Sequence, residues 1–256
     1  MKTLSSARAL YARETPGFSG HVAHALAVLQ SAAIEHVGRV VQASSLGAED
    51  MVLTDLIARH RLPIGIATLD TGKLHAETLT LIGCVESRYS LTIERYSPPQ
   101  EAAIRFVQRH GNDAMYRSID LRKACCAMRK LEPLKRMLDG RSAWITGLRR
   151  EQSDARGGVP FREVEAGGRV KLNPLADWSW VDVWHYIALH DVPTNPLHDA
   201  FMPSIGCAPC TRAIAVGEDF RAGRWWWEQG SKECGLHVQP PRAGAATLQR
   251  EQQTAL

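Results

Sequence analysis

The sequence predicts a single α/β domain, with a mainly parallel sheet flanked by helices and a mobile C-terminal extension. Three observations carry this. Short apolar runs of strand length alternate with longer segments of helical periodicity between Phe18 and Gly147. Polar turns follow the apolar runs, at residues 44–50 and 70–73, where parallel sheets bind their ligands. Beyond Arg224 the periodicity ends, so residues 1–224 are assigned to the domain and 225–256 to the extension.

Val22, Ala25, Leu26, Leu29, Ala33 and Ile34 recur at helical spacing and predict a helix over 18–36. A buried strand at 40–43 runs through a polar turn into a helix over 51–61. A second strand, 64–69, is followed by a helix over 74–89 and a strand over 91–96. Pro99 opens a helix reaching residue 110, because proline is tolerated in a first turn. Asp120 is read as the N-cap of a helix to 138, with Gly140 just past its end. Residues 143–147 form a further buried strand, and 161–164 a short extra strand in a polar, Gly-rich stretch. Ser179 caps an aromatic-rich helix over 180–190, and a loop over 193–203 leads into a cysteine turn. Cys84, among Leu79, Leu81, Ile82 and Val85, is read as a core residue.

A chain of 256 residues, 45% hydrophobic and 23% charged, can bury a substantial core. Its net charge of +4 permits a small anionic substrate but lacks the dense basic tract of a nucleic-acid binder. Six cysteines at this length do not make a secreted disulfide scaffold. No signal-type apolar core opens the chain, and no stretch approaches the ~20 apolar residues of a membrane span. The expected compartment is the cytoplasm, with no membrane partner.

The chemistry gathers at Cys207-Ala208-Pro209-Cys210 and the tandem pair Cys125-Cys126. Taken alone, C-x-x-C reads as a redox dithiol. Joined to a second pair, it makes a four-thiolate set that suits structural zinc or an iron–sulfur cluster. Neighbouring residues on a helix point about 100° apart, so a tandem pair gripping one site suits the bulkier cluster better than a single ion. Arg129 and Lys130 follow four residues after Cys125 and Cys126, on the same helical side. They are candidates to offset thiolate charge or to hold an anion, as are Arg149, Arg150, Arg156, Arg221 and Arg224.

Residues 44–50 stand where a strand hands over to a helix, a usual place for an anion on backbone N–H groups. Ser45 supplies a hydroxyl and Gly47 close backbone approach. No Lys-Ser or Lys-Thr follows the glycine, so this is not a Walker loop. Glu49 and Asp50 would repel a triphosphate. Cys234, beside Gly235 and His237, is a nucleophile candidate because thiolate chemistry needs access.

Taken together, these pieces resemble the assimilatory adenylyl-sulfate reductases, the cluster-containing branch of the phosphoadenylyl-sulfate reductase family. The matching motifs are Ser45-Leu46-Gly47-Ala48-Glu49-Asp50, Leu69-Asp70-Thr71-Gly72, Cys125-Cys126 with Arg129-Lys130, and Thr146-Gly147-Leu148-Arg149-Arg150. They continue in order through Cys207-Ala208-Pro209-Cys210, the run from Arg221 to Trp227, and Glu233-Cys234-Gly235-Leu236-His237. The resemblance implies an adenine-nucleotide hydrolase-like fold and one [4Fe-4S] cluster on Cys125, Cys126, Cys207 and Cys210. It also implies that Cys234 attacks the sulfur of adenylyl sulfate, releasing AMP and leaving S-sulfocysteine, and that thioredoxin or a similar dithiol then frees sulfite. Lys130, Arg156, Arg221, Arg224 and His237 would surround the phosphosulfate, with Ser45, Asp70, Thr71, Gly72 and Gly147 near the nucleotide. A homo-oligomer is implied as well.

Three rivals stand beside this reading. One is reduction of 3′-phosphoadenylyl sulfate, whose specialised enzymes, as the resemblance has it, generally lack the four cluster cysteines. The second is a zinc nucleoside deaminase, suggested by His75-Ala76-Glu77 with the C-x-x-C, but Gly206 stands where a proline is expected. The third is a non-enzymatic iron–sulfur electron carrier, which has no use for Cys234 or a nucleotide loop.

Overall fold

A computed structural model describes residues 6–228, so Cys234, His237 and the rest of 229–256, with the roles expected of them, lie outside the described residues. The chain opens with α1 (Ala7–Tyr11), whose N-cap Ser6 accepts from Ala9 N, and α2 (Phe18–Glu35). Then β1 (Val40–Ser44), α3 (Ala48–Arg59), β2 (Gly65–Leu69), α4 (Ala76–Tyr89), β3 (Ile93–Tyr96) and α5 (Gln100–His110) alternate. α6 (Ile119–Cys126) runs through a π turn at Ala127–Leu131 into α7 (Glu132–Met137). β4 (Ala143–Ile145), β5 (Arg162–Val164), β6 (Val170–Leu172) and α8 (Trp180–His190) complete the regular elements.

The sheet order is β3-β2-β1-β4-β6-β5, parallel throughout except for the antiparallel edge strand β5. The alternation of apolar runs with helical segments is thus realised as predicted. Side chains alternate across β1: Val40 joins the large core with α2, α3 and α8, while Val41 packs with Ala67, Met137, Leu138 and Trp144 on the other face. Gln42 is fully buried and satisfied by α3, donating to Asp50 O (2.7 Å) and accepting from Thr54 Oγ1 (3.0 Å). From β1 the chain goes to β2 and β3 on one side, then to β4 on the other. That reversal opens a crevice beyond the carboxyl ends of β1 and β4.

Several sequence expectations are corrected. The N-cap of α6 is Ser118, whose hydroxyl accepts from Leu121 N (3.1 Å), not Asp120, which sits in the first turn. The helix predicted to run to 138 is interrupted by the π turn. Pro133 has no N–H to donate, and the wider i→i+5 turn comes immediately before its helix. α3 starts at Ala48 rather than Met51, because Glu49 and Asp50 place negative charge at its positive end. Cys84 is exposed, one step off the buried stripe of Leu81, Ile82 and Val85. Strand β6 was not expected at all.

Trp225, at the start of the expected extension, is only 1% exposed. Arg122 and Arg224 hold their guanidinium carbons 4.5 and 4.8 Å from its ring centre. Arg122 also forms a two-pronged ion pair with Glu228 (2.9 and 2.8 Å), both side chains being nearly dry. The chain is therefore fastened to the domain as far as Glu228.

Candidate active site

The crevice at the strand ends holds a cavity of about 210 Å³. One wall is apolar, from Ala43 and Leu69 at the strand ends to Leu134, Met137 and Trp144. Lys130, Arg156, Arg221 and Arg224 add cationic lining. Ser45, Gly47, Glu49, Asp50 and Gly147 also line it. The lining is thus part apolar and part cationic, with Lys130 and Arg224 at the end next to Cys210.

The turn after β1 closes on itself. Ser45 N and Ser45 Oγ both donate to Asp50 Oδ2 (2.6 Å each), Leu46 N to Ser44 Oγ (3.2 Å) and Gly47 N to Ser45 Oγ (3.4 Å). Leu46 adopts φ +61°, a left-handed conformation that costs an ordinary residue roughly 1–2 kcal/mol. The protein's own oxygens thus take the N–H groups of Ser45, Leu46 and Gly47. A Cβ on Gly147 would lie 2.6 Å from Asp50 Oδ1 and 2.9 Å from Glu49 Cβ, so only glycine fits there.

Glu49 accepts from Arg149 Nε (3.0 Å) and Gln152 Nε2 (3.0 Å). Burial pushes its carboxyl up, but Arg149 and Gln152 hold it below the usual carboxylate range. Asp50 goes the other way. Burial raises it to about 6 against the hydrogen bonds from Ser45, and the charge of Glu49 adds to the rise. A carboxyl raised on folding holds its proton longer in the folded state, so stability falls as pH rises from about 4 to about 6. Over two pH units this single group accounts for roughly 3 kcal/mol. In urea titrations the wild type should lose stability relative to Asp50→Asn across that window and run parallel to it above pH 7. A constant difference from pH 4 to 7 would refute the assignment.

Arg149 and Arg150, expected at the substrate, do not line the cavity. Arg149 is 1% exposed and serves Glu49, Glu151 (2.7 Å) and Trp178 O (3.1 Å), with Trp180 beneath its guanidinium. Arg150 is bound to Val159 O (2.9 Å) and Asp177, over the Phe161 ring. Both are engaged by partners within the protein. Asp70 and Gly72 also stay outside the cavity. Asp70 Oδ1 accepts from Gly72 N (3.0 Å) in a tight turn, with Gly72 at φ +66°. Thr71 alone of the three reaches the lining, and its hydroxyl lies 3.2 Å from Cys207 Sγ. Gln152, which sequence reasoning missed, accepts from Arg156 Nη1 (2.6 Å) and donates to Gly147 O (3.2 Å). It ties a cation to Gly147, and no motif marks it.

The four cysteines named from the sequence come together. Cys125, Cys126, Cys207 and Cys210 are each 6–7% exposed and form one buried cluster with Met115 and Trp225. All four line a small gap of about 10 Å³, together with Arg122, Arg129 and Lys130. Ala208 N donates to Lys73 O (2.8 Å), fixing the C-x-x-C turn against the loop after β2. Arg129 Nη1 donates to Thr71 O (2.7 Å) from the π turn. Burial pushes the Cys125 thiol up, and lifts Cys210 to about 12 with help from Cys207 and Cys126. Four thiols so crowded in a dry space fit a bound group that takes them as thiolates. Among the described residues no three Cys, His, Asp or Glu side chains are arranged to hold a single metal ion. The donor set, four sulfurs around a gap, suits structural zinc or an iron–sulfur cluster. His75 does not line this gap, which leaves the deaminase without its histidine ligand. Lys130, Cys207 and Trp225 line both spaces, so the cysteine centre abuts the cationic end of the cavity.

A family profile described as the phosphoadenosine phosphosulfate reductase domain matches residues 39–213. A protein of Allochromatium vinosum named adenosine 5′-phosphosulfate reductase is 59% identical over 211 residues, covering 82% of each chain. One of the same name from Burkholderia cepacia is 53% identical over 226 residues, covering 88% of this chain and 90% of that one. The crystal structure of phosphoadenylyl-sulfate (PAPS) reductase from Candida auris, a phosphate complex, superposes with a TM-score of 0.63. It is 28% identical over 75% of this chain and 92% of the other. Among the described residues no helix is long and apolar enough to cross a membrane.

Proposed function

The chain belongs to the phosphoadenosine phosphosulfate reductase family, and from that premise we propose that it is an oxidoreductase of sulfate assimilation that reduces adenylyl sulfate to sulfite and AMP. The observation that carries the reading is the cysteine centre set against the cationic end of a nucleotide-sized crevice. The adenine lies along the apolar wall of Leu69, Met137 and Trp144, with the ribose over Ser45 and Gly147. Lys130, Arg156, Arg221 and Arg224 hold the phosphosulfate.

These cations act by charge. They allow two anions, the attacking thiolate and the sulfate, to approach, and they stabilise the phosphate as it leaves. Cys234, the nucleophile, forms a sulfur–sulfur bond as the bond from sulfur to the phosphate oxygen breaks. The product is AMP and S-sulfocysteine. A dithiol, thioredoxin or a relative, then attacks Cys234 sulfur and expels sulfite. His237 belongs with the phosphosulfate ligands in this reading. Cys125, Cys126, Cys207 and Cys210 would hold a [4Fe-4S] cluster, which when bound supplies a crosslink between the two cysteine pairs and fixed charge beside Lys130. The dithiol supplies both electrons. The reaction belongs to the cytoplasm, where such dithiols are kept reduced, and the protein to a homo-oligomer.

Substrate choice follows from the carboxyl groups lining the cavity. Glu49 and Asp50 oppose a further phosphate on the ribose, so adenylyl sulfate is preferred over its 3′-phosphorylated form. The test is sulfite release from each nucleotide with thioredoxin as reductant. A kcat/KM at least 100-fold higher for adenylyl sulfate is expected. Equal values would overturn the preference, and no sulfite from either would overturn the function.

A further inference from the structure

On one flank of the cysteine centre the surface is apolar and aromatic. Tyr116, Ile119 and Trp226 are 44%, 45% and 39% exposed. The rings of Tyr116 and Trp226 lie 6.3 Å apart, and both stand against Trp227, at 4.5 and 4.8 Å. Ile119 follows three residues after Tyr116, at the start of α6.

This ledge is rigidly supported. Tyr116 hydroxyl donates to Pro209 O (2.7 Å), within the turn that presents Cys207 and Cys210. Trp227 packs on the cysteine cluster, and the Arg122–Glu228 ion pair pins the next residue. Exposed Tyr and Trp on a fixed support offer large contact area at little cost in side-chain entropy, the make-up of interface anchors.

The position of the ledge says what covers it. The chain leaves the described residues at Glu228, and Cys234 is six residues further on. Six extended residues reach at most about 20 Å, so Cys234 works within that radius of Glu228, which follows the ledge residue Trp226 by two positions. The reaction proposed above, on which this inference rests, leaves a sulfonate on that sulfur. One thiolate of a dithiol must attack it, expelling sulfite and forming a mixed disulfide. The second thiol then attacks its partner sulfur, loses its proton, and frees Cys234. A small thiol needs no apolar surface for this. A protein does.

We propose that Tyr116, Ile119 and Trp226 form the docking ledge for the protein dithiol that regenerates Cys234. The occupant is a small folded protein with an exposed dithiol beside an apolar rim.

The test compares wild type with Ile119→Ser and Trp226→Ser, both changed at exposed positions. Thioredoxin and dithiothreitol serve as alternative reductants. The KM for thioredoxin should rise roughly 10- to 30-fold in the variants, as for loss of an interface anchor. Formation of the Cys234 adduct from substrate alone, and turnover with dithiothreitol, should match wild type. An unchanged thioredoxin KM, with adduct still formed, overturns the ledge alone. An equal fall with both reductants assigns the ledge to residues 229–256 of this chain. A change of mass on size-exclusion chromatography assigns it to a second copy. Either of these also overturns it. A wild type that forms no adduct overturns the proposed function and the ledge with it.

Discussion

Replacing any one of Cys125, Cys126, Cys207 or Cys210 by serine should remove iron and activity together. The four side chains are nearly dry and line one gap, so each loss leaves three crowded sulfurs without a complete set of ligands. The two pairs lie far apart in the chain, one on α6 and one on the turn joined to the loop after β2. A bound cluster would crosslink them, and its loss would forfeit the binding free energy that stabilises the fold. The serine variants should therefore melt lower than wild type and be cut faster by protease between α6 and the C-x-x-C turn. Iron and sulfide analysis of anaerobically purified protein checks the assignment. Stoichiometric zinc without iron would refute it.

Cys234→Ser should have the largest effect on turnover with the least effect on structure. Serine differs from cysteine by one atom, and the described residues already line the cavity and the cysteine centre, so the variant should keep its iron and bind adenylyl sulfate with wild-type affinity. Its sulfite production should fall by at least about 10³-fold, because the hydroxyl of serine is a far weaker nucleophile than a thiolate. Isothermal titration and the sulfite assay separate the two quantities. Loss of nucleotide binding in this variant would place Cys234 in the substrate site rather than in the chemistry.

The sequence made the sheet and the cysteine centre legible for different physical reasons. β1 and β4 are short apolar runs because both faces of a parallel sheet are covered, and that pattern needs no tertiary knowledge. The helix beginning at Trp180 was legible from Ser179, whose hydroxyl accepts from Asp182 N (3.0 Å) while Asp182 answers Ser179 N. β6 was not legible, since Val170-Lys171-Leu172 carries a charge at its centre. Only the neighbouring strand shows why Lys171 is tolerated there: it lies 5.3 Å from the Trp144 ring. The four cysteines could be grouped by chemistry alone. The roles of Arg149 and Arg150 could not, because their partners Glu49 and Asp177 are 100 and 27 residues away. A cation after a strand end reads the same whether it meets a substrate or a buried carboxylate. Gln152 stayed hidden for a similar reason, its work being to join Glu49, Gly147 and Arg156 across a loop without a motif.

The covalent step is the centre of this account, and peptide mass spectrometry of a single turnover tests it most directly. Wild-type protein mixed with adenylyl sulfate in the absence of any thiol should release one AMP per site and no sulfite. The peptide containing Cys234 should gain about 80 Da, the mass of SO₃, and lose it when thioredoxin is added. An adduct on Cys84, the exposed cysteine of α4, or sulfite formed with every cysteine unmodified, would contradict the account.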